Sequence, residues 1–128
     1  MSEHQDAALI RRALHALSTG DMEGMAAMVA DDVVWHEIGN PDPVRGRATL
    51  AARMTAAGPD SGTFTATLHD VVANDDHTIA LVEATVTRGG RTLTYRTAEI
   101  FHIRDGKISA RWAFSDDTAA INEFFGGA

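Results

Sequence analysis

The sequence predicts an α+β fold, on two observations. Apolar residues recur at helical spacing through most of the first half of the chain, and the second half changes to strand-type alternation broken by short turn signals. Helices followed by an antiparallel meander differ from the alternating strand-helix order of a parallel wound sheet. The 128 residues suit one domain, and no linker, repeat or low-complexity segment divides them, so residues 1–128 are read as a single unit.

Each element has a local cause. Ile10, Ala13, Leu14 and Leu17 share a face, which predicts an amphipathic helix over residues 5–18. "STGD" breaks it. Met22, Met25, Ala26 and Val29 repeat the spacing in a short helix starting near Asp21, where methionine reads as adaptable core filler. Residues 32–38 are predicted as a strand and "GNPDPVRG" as a loop. Leu50, Ala51 and Met54 mark a third helix, which Gly58 and Pro59 in "GPDSG" stop. "TFTATLHDVVA", "HTIALVEATVT", "RTLTYRTAEIFHIR" and "KISARWAF" are rich in Thr, Val, Ile and aromatic residues and read as strands. "NDD", "GG" and "DG" separate them. The last two are hairpin turns, since a tight turn needs positive φ and glycine supplies it at little cost. "SDDTAAINEFF" reads as a capped terminal helix or an ordered tail.

Composition narrows the function. The formal charge is −7, the only lysine is Lys107, and the 11 basic residues are scattered. Nucleic-acid and anionic-membrane partners are therefore not expected, because both need clustered positive charge. No apolar run is long enough to span a bilayer. The N-terminal stretch lacks a basic-then-apolar order and is not expected to be a secretory signal. Cysteine is absent, which removes thiol chemistry and fits an expected cytoplasmic location. His69, His77 and His102 lie on separate elements without the spacing of a metal motif, so no metal is expected. No nucleophile elbow, phosphate loop or dinucleotide fingerprint is present, and no cofactor is expected.

"GDMEGMAAMVADDVVW", "RGRATLAARM", "LHDVVANDDHTIALVEATV" and "FHIRDGKISARWAFSDD" together resemble the nuclear transport factor two-like superfamily, which also holds ketosteroid isomerases and SnoaL-like polyketide cyclases. The resemblance implies a cone: a curved antiparallel sheet wrapped around three helices from the N-terminal half, enclosing an apolar pocket. It also implies a homodimer formed through the sheet. In ketosteroid isomerases two acids and a tyrosine work in that pocket, and carboxyl pKa tuning there is a known worked case. Aligned on "ADD", the general base falls at Glu37; aligned on "DGKI", the neutral hydrogen-bond-donating acid falls at Glu99. The tyrosine position falls near Ala13. On the cone, Trp35, Tyr95, Phe101, Trp112, Phe114 and Met54 are the expected substrate-binding residues.

Strand alternation gives an independent reading. Leu93, Tyr95, Thr97, Glu99, Phe101 and Ile103 share one face, and Val33, Trp35 and Glu37 share another. Burial among apolar groups disfavours a charged carboxyl, which suits a general acid or base. A strand glutamate also commonly pairs with an arginine, and Arg96 and Arg111 are available. Glu83 reads as an ion-pair or dimer-face residue, and His36 as a side chain facing away from Glu37 and bracing the loop. Two functions stay open. One is a cofactor-independent isomerase or cyclase acting on a small apolar carbonyl compound, with Glu37 as base and Glu99 as donor. The other is a non-catalytic module that binds a small hydrophobic molecule or a partner. Arginine engagement of Glu37 and Glu99 would favour the second.

Overall fold

The computed structural model describes residues 3–56 and 63–126. Helix α1 (Gln5–Thr19) leads into α2 (Met22–Ala27), strand β1 (Val29–Trp35), a two-residue β2 (Val44–Arg45) and α3 (Arg47–Ala56). Strands β3 (Thr63–Ala73), β4 (Thr78–Arg88), β5 (Arg91–Arg104) and β6 (Lys107–Ser115) follow, and α4 (Thr118–Gly126) closes the chain. The predicted α+β class and helix-first order are both present. Gly58 and Pro59, read as the stop of α3, lie outside the described residues.

The six strands form one open, curved sheet in the order β2-β1-β6-β5-β4-β3. From β3 to β6 it is the expected antiparallel meander. β1 departs from that pattern by pairing parallel to β6, with Val34 beside Ala110 and Trp35 beside Arg111. It starts earlier than residue 32 and ends at Trp35, so Glu37 lies just past the strand. Val44 and Arg45, read as loop, add a short antiparallel edge to β1.

The turns follow their residue types. Gly89 and Gly90 both have positive φ between β4 and β5, and Asp105 and Gly106 do the same between β5 and β6. Bulges at Leu68/Asp70 and His102/Ile103 break the ladder and bend the sheet. The Asp21 carboxylate accepts from the Gly24 N–H and caps α2.

The helices pack on the concave face. Ile10, Val29, Val33 and Ile108 are fully buried at the centre of the core. In "ADD", Asp31 and Asp32 point outward. Asp31 pairs with Arg47 of α3, and Asp32 with Arg104 of β5 at 2.6 Å. The hydrogen bond from Arg104, then its charge, holds the Asp32 carboxyl below its ordinary value. That motif therefore ties β1 to α3 and, across β6, to β5, and puts no charge into the core.

Candidate functional site

Small side chains open a hollow between α1 and the sheet. Ala66, Ala84 and Tyr95 are cross-strand neighbours on β3, β4 and β5, so two methyl groups face a region that larger residues would fill. Ala13 of α1 lies opposite. The resulting cavity is about 550 Å³ in volume. Its walls are Leu14, Leu17, Met25, Phe64, Val82 and Phe101, with Ile121 of α4 at one side. A cavity of this size is in the usual range for a small-molecule site.

Trp35, Glu37, Tyr95, Glu99 and Phe101, all expected on the pocket side, do line this cavity. Trp112 and Phe114 do not. They stand on the outer sheet face, where Phe114 is 60% exposed. The reason is strand parity: Phe101 pairs with Arg111, so inward Phe101 carries Arg111 inward and turns Trp112 and Phe114 outward. Met54 belongs to α3, and its side chain lies outside the described residues.

Both acids are held by arginines. Glu99 is 8% exposed and accepts from Arg111 Nε at 3.2 Å and from a second guanidinium nitrogen at 3.0 Å. Thr97 Oγ1 donates to its other oxygen at 2.9 Å. The Arg111 guanidinium also donates to the His36 carbonyl at 2.8 Å and sits 4.7 Å over the Trp35 ring. Glu99 is thus an acceptor from three donors, not the neutral donor expected of it. Glu37 binds Arg53 Nε through both oxygens at 2.7 Å and accepts from Asn40 Nδ2 at 3.3 Å. This pair lies at the cavity mouth, with side chains 31% and 55% exposed. Its hydrogen bond, then its charge, pushes Arg53 further above its ordinary value.

Tyr95 contributes a phenol to the same wall. Burial, followed by the charge of Glu99, raises its pKa from the ordinary 10.0, while Arg111 acts the other way. Glu83 faces outward and pairs with Arg96 at 3.5 Å, as its ion-pair reading anticipates. The His36 ring stacks on Trp112 on the outer face, with centroids 5.0 Å apart. That contact ties the residue to β6. Among the described residues no cluster of His, Asp and Glu could hold a metal ion, and no helix is long and apolar enough to cross a membrane.

Sequence reasoning missed Arg53 and the alanines that open the hollow. Arg53 left no signal, since 16 residues and a loop separate it from Glu37. The inward position of Arg111 was not legible either: parity carried straight across the "DG" hairpin sets Glu99 opposite Trp112, and the bulge at His102/Ile103 shifts the register by one so that Phe101 faces Arg111.

A helix-backed curved sheet with a mixed polar and apolar cavity defines the class: a cone-shaped domain of the nuclear transport factor two-like fold. The SnoaL-like domain profile matches residues 10–111, and the chain belongs to that family. It is 32% identical over 131 residues to the uncharacterized protein Rv0034 of Mycobacterium tuberculosis, covering 98% of this chain and 99% of that one. Among solved structures it is similar to Bal32a, from a soil-derived mobile gene cassette, with a TM-score of 0.85, 27% identity and coverage of 94% and 95%. It also shares its fold with TerC co-crystallized with polyporic acid, with a TM-score of 0.82, 19% identity and coverage of 97% and 100%.

Proposed function

We propose that the cavity binds a compact, uncharged, largely apolar carbonyl compound. The observation that carries this reading is charge cancellation. Each carboxylate on the wall, Glu37 and Glu99, has its own guanidinium, Arg53 and Arg111. Among the described residues of the wall an anionic ligand would find no unpaired cation, so it would give up its hydration without a compensating partner. A neutral molecule gains from the apolar wall without breaking either pair. TerC, crystallized with polyporic acid, is a precedent for small-molecule binding on this fold. Equilibrium dialysis with 2-acetylnaphthalene and 2-naphthoate tests the reading. Saturable one-to-one binding of the ketone is expected, with the carboxylate at least about tenfold weaker, since a buried unpaired charge costs several times RT. Equal or tighter binding of 2-naphthoate would refute it.

One observation favours a catalytic reading as well. The Glu37–Arg53 pair is exposed at the mouth, where ion pairs contribute only about 0–1 kcal/mol, so a ligand can displace Arg53 at little cost. Freed, Glu37 is placed to take a proton next to the carbonyl, in an isomerisation or an aldol-type ring closure. Glu99 then serves by fixing Arg111 and does not donate a hydrogen bond itself.

The outer sheet face supports a homodimer as the assembly. Val72, Ile79, Ile100 and Trp112 are in register across four strands, and Leu81, Ala98 and Phe114 form a second row beside them. Val72, Leu81 and Phe114 are exposed. A continuous apolar face of this kind marks an interaction surface. The adjoining Glu83–Arg96 pair is suited to meet its own copy across a two-fold axis.

A further inference from the structure

We infer that Tyr95 reads the ligand's acceptor oxygen, which makes a neutral carbonyl group the polar feature this cavity selects; the inference rests on the cavity being a small-molecule site. The starting point is the hydrogen-bond inventory of the wall. Glu37, Asn40 and Arg53 bind one another. Thr97, Glu99 and Arg111 bind one another. Asn122 is exposed at the mouth. Tyr95 is half-buried and lines the cavity, yet its hydroxyl has no hydrogen-bond partner among the described residues. No buried side-chain nitrogen or oxygen among the described residues lacks a partner, so this hydroxyl is open to the cavity, where a bound molecule can supply its partner.

The surroundings define what that partner is. The neighbouring Ala84 and Ala66 leave free space along the sheet beside the ring, so a ligand can reach the hydroxyl without moving backbone. The environment keeps the phenol protonated, hence a donor, because burial and the Glu99 charge both oppose its ionisation. The same Glu99 charge disfavours a carboxylate or phenolate at that spot. A ketone, ester or quinone oxygen accepts a hydrogen bond without adding charge.

The test is a ligand-and-variant cycle by equilibrium dialysis. 2-Acetylnaphthalene and 2-ethylnaphthalene have nearly the same shape and differ in the acceptor. Their relative affinity is measured for the parent chain and for Tyr95→Phe. Removing the hydroxyl is expected to shift that ratio about fivefold against the ketone, the effect of one net hydrogen bond. Affinity for the hydrocarbon is expected to stay constant. A general loss of packing would weaken both ligands alike and leave the ratio unchanged. An unchanged ratio overturns the role of Tyr95 while leaving the cavity as a binding site. Failure of the parent chain to bind either compound overturns the binding site and this inference with it.

Discussion

Glu99–Arg111 and Glu37–Arg53 have the same chemistry in different surroundings, and burial separates their roles. The side chains of the first pair are 10% and 11% exposed, those of the second 31% and 55%. Breaking a buried pair strands an uncompensated charge, so Arg111→Ala is expected to cost about 3 kcal/mol in urea denaturation. Arg53→Ala is expected to cost under about 1 kcal/mol. Glu37→Gln should leave the denaturation curve unchanged and abolish turnover of any true substrate; turnover at the parental rate would remove Glu37 as the base. Tyr95 is the single tyrosine, so ultraviolet absorbance titrates it alone. Its midpoint is expected above 10.0 in the folded chain and near 10 in urea. The unfolded chain then ionises first. The contribution of Tyr95 to stability is therefore complete below about pH 10 and is lost as pH rises through the folded value. At this scale the sequence was legible where alternation governs: Tyr95, Glu99 and Phe101 do share the inward face. Pairing across distant segments, as between Arg53 and Glu37, leaves no local trace.

At the scale of elements, most of the architecture follows from turn chemistry and apolar period. The Gly89–Gly90 and Asp105–Gly106 turns stand where the dipeptides predicted them, because few residues accept positive φ. β2 could not be foreseen: two residues show no period, and only β1 beside them makes a strand of them. The parallel register of β1 against β6 is likewise a tertiary choice, invisible to local pattern. The loop after β1 turns at Gly39, where φ is +78° and an added methyl group would approach the Asn122 side chain of α4 to 2.1 Å. The amide can swing aside, but the left-handed backbone cannot be relieved. Gly39→Ala is expected to destabilise the chain by about 1–2 kcal/mol, read as a lowered melting temperature. No change there would mean that the loop relaxes freely.

Across the whole molecule, the two sheet faces divide the work. The concave face carries the core and the cavity; the convex face presents the apolar rows proposed as the dimer surface. Light scattering is expected to give twice the 13.7 kDa chain mass. Phe114→Glu, which would bury a charge within that surface, is expected to halve it. A monomeric parent chain would end the dimer reading without touching the cavity. The fold and family were legible in the sequence because "ADD", "DGKI" and the hairpin dipeptides are tied to backbone geometry. The cavity was less so, because an empty volume is set by where small residues such as Ala13, Ala66 and Ala84 converge. The chain has two tryptophans, one on each face: Trp35 in the cavity wall and Trp112 outside it. Their indole N–H resonances, followed during titration with 2-acetylnaphthalene, test cavity binding most directly. Saturable movement of the Trp35 signal with Trp112 stationary is the expected result, and movement of Trp112 with Trp35 unmoved would contradict it.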